Sequence, residues 1–204
     1  MQFLYPFDLI GTFVFAISGT LAASKKQLDV FGALMIGFIT AIGGGSIRDI
    51  VLGKFPLVWI QDPNYALVIL AAFLVCLLMR KQLLKLRKTF FLFDTLGIAL
   101  FTIMGLQKAL SLDAPIVVAV FLGMASAVMG GMIRDVICND IPLIFRSELY
   151  ATSCLAGALV YIGLEQLSNE WHLINALSGF VVIIIVRLLA IKNNWNLPIF
   201  TSKG

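Results

Sequence analysis

Residues 41–56 read AIGGGSIRDIVLGKFP and residues 127–142 read AVMGGMIRDVICNDIP. The two stretches lie 86 residues apart, and that offset extends well beyond them. Asp8 falls on Asp94, Gly11 on Gly97, Phe15 on Phe101, Gly19 on Gly105, Gly37 on Gly123 and Pro56 on Pro142. Of the 52 positions from 8 to 59, 16 are identical to their partners without a gap. Chance likeness between apolar segments does not align Asp, Arg and Pro, so the chain contains an internal repeat.

The surroundings of the repeat are lipid-like in composition. Of 204 residues, 60% are hydrophobic and 13% charged, and the mean hydropathy is +1.00. A soluble domain is roughly half apolar and a quarter charged. A chain this short cannot hide so much apolar surface from water, which excludes a soluble enzyme, a nucleic-acid module and a disordered tail. Seven segments are apolar enough for the roughly 20 residues a spanning helix needs: 5–24, 29–53, 64–80, 90–109, 115–138, 148–166 and 172–191. Period-2 alternation is absent, which argues against a membrane barrel. The start of the chain lacks a basic n-region and a small-residue cleavage site, so the first span is expected to be retained.

The basic residues orient these spans. Arg80, Lys81, Lys85, Arg87 and Lys88 follow the third segment and mark a cytoplasmic link. Alternation then places Lys25, Lys26, Arg146, Arg187, Lys192 and Lys203 inside as well, with only Lys54 and Lys108 outside. The N-terminus is expected outside and the C-terminus in the cytoplasm. The 80–88 run offers charge for anionic membrane lipid, although a positive-inside link accounts for it without one.

The fold class that emerges is an all-α polytopic membrane protein with seven transmembrane helices: two inverted three-helix repeats plus a seventh helix. The organisation is a single membrane domain over 1–204, with repeat one at 3–80, repeat two at 89–166 and the seventh helix at 172–191, standing outside the repeat for packing or oligomer contact. Three spans per repeat is odd, so the second copy enters the membrane from the opposite side. In transport proteins with this arrangement the pathway runs between the copies near mid-membrane.

The repeated motif carries the candidate site. Ala33, Gly37, Ala41 and Gly45 recur every four residues, as do Ala119, Gly123, Ala127 and Gly131, which places each set on one helix face where backbones approach closely. Gly43, Gly44 and Gly45, and Gly130 and Gly131, are poor helix formers and predict a kink or break in each span. Broken spans expose backbone carbonyls suited to a cation or a small zwitterion, tolerated in a membrane only against protein or water. Ser46 lies within the first motif. Arg48, Asp49, Arg134 and Asp135 sit deep in spans, where charge is costly and faces a pathway or another charge. Neighbours on a helix do not face each other, so symmetry suggests Arg48 with Asp135 and Arg134 with Asp49, as latch, pathway lining or both. Asp8 and Asp94 near the starts of spans 1 and 4 are secondary candidates, read first as partners of their own helix dipoles. Pro56 and Pro142 are read as marking helix ends. Trp59, Trp171 and Trp195 fit an aromatic belt, and His172 a membrane edge. The odd cysteines Cys76, Cys138 and Cys154 show no disulfide or metal spacing. No catalytic pairing, metal cluster or cofactor motif is present, and no nucleic-acid partner is expected.

GGGSIRD at 43–49 and GGMIRD at 130–135, within two inverted three-helix units and a seventh helix, resemble the trimeric intracellular cation channel family. The closer likeness is to its prokaryotic branch, also catalogued as a glycine-transporter-like domain family, and it spans about residues 3–192. The resemblance implies a homotrimer in the cell (inner) membrane whose subunits each carry a pore for potassium or sodium ions. It also implies that Gly43, Gly44, Gly45, Arg48 and Asp49, and Gly130, Gly131, Arg134 and Asp135, line that pore. Met129 replaces the first glycine of the second motif. Two functions follow: a passive potassium channel, whose weak sites suit conduction, or a secondary transporter for glycine or another small amino acid.

Overall fold

The computed structural model describes residues 4–79, 82, 89–146, 149–168 and 170–196. Seven long helices follow one another: α1 (Leu4–Lys25), α2 (Val30–Val51), α3 (Asn64–Leu78), α4 (Thr89–Leu110), α5 (Ile116–Ile137), α6 (Ala151–Leu167) and α7 (His172–Asn193). A single helical turn, Val58–Gln61, separates α2 from α3, and a 3₁₀ turn, Leu143–Phe145, holds the matching place between α5 and α6. Five of the seven are long and apolar enough to cross a membrane. Helices α3 and α6 have 15 and 17 residues, short of the roughly 20 that a full span takes. The basic residues Arg80, Lys81, Lys85, Arg87, Lys88 and Lys203 lie outside the described residues.

The repeat is visible in how helices stop. After α2, Gly53 takes a left-handed φ of 65°, and after α5 its mate Asn139 takes 53°. The Lys54 N–H then reaches the Asp49 carbonyl at 2.8 Å, as the Asp140 N–H reaches the Asp135 carbonyl at 2.8 Å. Each is a Schellman closure, which satisfies carbonyls a helix end would otherwise leave bare. Gln27 and Asp113, after α1 and α4, share a second left-handed pair. These turns end the helices; Pro56 and Pro142, expected to mark the ends, follow Val51 and Ile137 by five residues. Helix α2 starts on Asp29, whose Oδ1 accepts from the Gly32 N–H at 2.6 Å, as an N-cap does.

Helices α1 and α4 form the middle of the bundle. Helix α1 packs on α2, α3 and α4, and α4 on α1, α5, α6 and α7. Where α1 meets α4, Phe15 and Phe101 stack with ring centroids 5.1 Å apart, each beside the other repeat's glycine, Gly97 or Gly11. The small-residue stripes bring α2 onto α1 through Gly19 and Gly37, and α5 onto α4 through Gly105 and Gly123. Helix α7 lies on α6 and α4, with Gly157 against Gly179.

Of the kink or break expected at the glycines, the break is corrected. Helices α2 and α5 run unbroken through Gly43–Gly45 and Gly130–Gly131. A methyl group on Gly44 would collide with the Ser126 carbonyl oxygen, and one on Gly130 with the Thr40 carbonyl oxygen. Thr40 and Ser126 are themselves repeat mates, so the two helices cross on a local two-fold. The helix propensity lost at each glycine, about 1 kcal/mol, is offset by backbone contact that any side chain would prevent.

Candidate functional site

Because α2 and α5 cross antiparallel at Gly44 and Gly130, their Arg-Asp pairs lie on opposite sides of the crossing. Four residues on α2 and five on α5, at about 1.5 Å each, put Arg48 and Asp135 about 13 Å apart along the axis. The cross-pairing suggested by symmetry is therefore out of reach. Each arginine instead curls round its own helix, and its Nε donates to the neighbouring carboxylate: Arg48 to Asp49 at 2.8 Å and Arg134 to Asp135 at 2.8 Å. The rule that adjacent residues do not face each other concerns Cβ directions; a three-methylene stem with a fork at its end escapes it.

The face of the molecule on which α1 begins, called here the near face, holds the first cluster. Asp49 accepts from Arg48 and also from Lys108 Nζ at 2.8 and 3.0 Å. Lys108 comes from the last turn of α4, so this pair ties one repeat to the other. Asp8 accepts from the Tyr65 hydroxyl at 2.5 Å. Trp59 Nε1 donates to Ser46 Oγ at 3.1 Å, which places Trp59 beside the motif. Asp8, Ser46, Gly45, Arg48, Asp49 and Tyr65 share a narrow cleft of about 20 Å³, room for about one water molecule.

The far face holds the second cluster, which is sealed. Arg134 is 0% exposed. Its Nη1 donates to Asp94 Oδ1 at 2.8 Å and to Ser18 Oγ at 2.8 Å. Asp135 Oδ2 accepts from the Leu143 N–H at 3.0 Å, which fixes the 3₁₀ turn to the end of α5. The guanidinium stacks over Phe90 at 4.6 Å, and Arg187 of α7 over Tyr150 at 4.8 Å. Gly131 opens onto the Tyr150 hydroxyl, Arg134 and Asp94. Asp94, expected to serve its own helix dipole, is instead the buried counter-ion of Arg134. Arg187, counted by the charge rule among the cytoplasmic-side residues, is enclosed by the bundle at 1% exposure.

Gly43 meets Ile133 and Gly130 across the crossing, and Gly45 looks toward Arg48. Residue-type reading missed Lys108, Tyr65, Ser18 and Tyr150 as members of the clusters. Tyr65 and Tyr150 lie 85 residues apart rather than 86, which hides them from a gapless comparison. Elsewhere a groove of about 870 Å³ runs between α4, α6 and α7, apolar along most of its length and ending near Glu165 and His172.

Comparison with known proteins finds likeness along nearly the whole chain. The family described as glycine transporter matches residues 5–81 and again 91–166. An inner membrane protein of Escherichia coli K12, YadS, is 37% identical over 97% of this chain and 96% of its own length. The trimeric intracellular cation channel orthologue from Rhodobacter sphaeroides superposes with a TM-score of 0.90 at 29% identity, over 95% of this chain and all of that one. A second solved structure, described for conductance through such cation channels, gives a TM-score of 0.85 at 33% identity, covering 97% of both chains.

Proposed function

Since this chain belongs to the trimeric intracellular cation channel family, we propose that it is a cation channel passing monovalent ions, potassium foremost and sodium with it, through each subunit. It is not an enzyme. The observation that carries the reading is the near-face cleft, where Asp8, Asp49, Ser46 and Tyr65 gather along the α1-facing side of α2. A narrow polar path with few charges suits conduction, which needs sites weak enough to release the ion. The pathway of this reading is bordered by Gly43, Gly44, Gly45, Ser46, Arg48 and Asp49 on the near side and by Gly130, Gly131, Arg134 and Asp135 on the far side, where the structure is in a sealed state. Asp8 and Asp94 flank it at the two ends.

In the same reading, the chain is one membrane domain of two repeats and a seventh helix, sits in the cell inner membrane and assembles as a homotrimer. The near face lies outside and the α7 end in the cytoplasm. The likeness to solved cation channels supports this function over a carrier for glycine or another small amino acid. Flux in liposomes tests the choice. Rapid, non-saturating potassium flux without glycine uptake is the expected result. Saturable uptake of labelled glycine without potassium flux would overturn it.

A further inference from the structure

The two halves of the molecule carry the same residues but fill them differently. On the far face, Asp94 already holds a cation: the Arg134 guanidinium, 2.8 Å from Oδ1, seated with Ser18 Oγ on the same nitrogen. On the near face, the mates of these groups are Asp8, Arg48 and Met104. Met104 offers no hydroxyl to receive a guanidinium. Arg48 turns to Asp49, and Lys108 adds a second positive charge there. Among the described residues Asp8 makes no ion pair; its one polar contact is the Tyr65 hydroxyl. Asp8 also lines a cleft, whereas Asp94 is enclosed at 1% exposure.

A carboxylate in a membrane interior calls for a positive partner. The far half shows where such a partner sits relative to this aspartate, since the guanidinium marks the position. We infer that the near-face cleft is a binding site for one mobile monovalent cation, with Asp8 as its charged ligand. The Tyr65 oxygen and Ser46 stand beside it. The fixed guanidinium of Arg134 takes the equivalent place in the other half. This assignment rests on the channel reading and adds the place where an ion pauses on its way in. The pairing of Arg48 and Lys108 with Asp49 is what leaves Asp8 available, so Arg48 and Lys108 act as positioning residues for this site.

Trp59 lines the same cleft and gives the site its own signal. In a Trp171→Phe, Trp195→Phe background, Trp59 fluorescence is read while thallium(I), a potassium-like heavy ion that quenches indoles, replaces N-methylglucamine at constant ionic strength. The expected result is saturable quenching that potassium reverses. In Asp8→Asn the apparent affinity falls by about ten-fold or more, the usual worth of one charge-assisted contact. Tyr65→Phe weakens it less, and Asp62→Asn, a half-buried acid outside the cleft near the same face, leaves it unchanged. Linear quenching in the unsubstituted background, or an unchanged curve in both Asp8→Asn and Tyr65→Phe, overturns the site. Potassium flux measured on the same protein keeps the two readings apart. Flux without a saturable site sinks only the site, and a saturable site without flux sinks only the channel.

Discussion

Asp8 and Asp94 are equivalent by sequence and unlike in their surroundings, and their substitution should separate them. Asp94→Asn leaves Arg134 buried with only its own neighbour Asp135 as counter-charge. Removing one partner of a buried pair costs about 3–5 kcal/mol, so a fall in thermal unfolding midpoint of many degrees is expected in detergent. Asp8→Asn removes a half-buried group whose partner is a neutral hydroxyl. Its midpoint should stay close to the parent protein. Equal losses in the two variants would contradict the roles assigned to them. For these residues the sequence was a partial guide. The types and positions of the charged residues were legible, because deep charge is rare and the repeat doubles it. Their partners were not, since Arg134 meets Asp94 across 40 residues and Asp49 meets Lys108 across 59. The failed cross-pairing followed from treating the motifs as facing each other, when inversion puts them on opposite sides of the crossing.

Helices α2 and α5 show what the glycines do. Poor propensity suggested kinked or broken spans; neither helix breaks, and the glycines mark where one backbone touches another. Propensity is a local quantity, and close packing of two helices overrides it. Gly44→Ala and Gly130→Ala force the helices apart against backbone carbonyls, so each should destabilise by about 1–3 kcal/mol, as overpacking does, and lower potassium flux. Gly45→Ala meets only Arg48 Nη2 at 3.7 Å. That variant should be as stable as the parent protein or more so, because alanine favours helix by about 1 kcal/mol. Thermal unfolding of the three variants side by side checks the order. A Gly45→Ala loss as large as that of Gly44→Ala would contradict the crossing geometry.

For the molecule as a whole, composition, span count and the inverted repeat were legible in the order of the residues. Lipid as solvent leaves few ways to bury a backbone, and an 86-residue offset repeats down to the left-handed residues that end the helices. The short lengths of α3 and α6 were partly legible, because Asp62-Pro63 and Arg80-Lys81 bound the first, and Ser147-Glu148 and Ser168-Asn169-Glu170 the second. Among the described residues, two ion pairs join the repeats at opposite faces, Lys108 with Asp49 and Lys26 with Asp140. The second is exposed, and exposed pairs contribute at most about 1 kcal/mol. Lys26→Ala should therefore leave both unfolding and flux near their parent values, whereas Lys108→Ala should change flux.

If ions pass along the near-face cleft beside α2, a positive charge fixed inside it must stop them. Potassium flux in liposomes through Ser46→Cys protein, before and after a cationic methanethiosulfonate is added and with labelling confirmed by mass, puts that to the test. Cys76, Cys138 and Cys154 are buried, and the unsubstituted protein serves as the reagent control. Labelled Ser46→Cys protein is expected to lose most of its flux, while Gln61→Cys, labelled on the exposed turn that precedes α3, keeps it. Undiminished flux through fully labelled Ser46→Cys protein would contradict a path along this cleft.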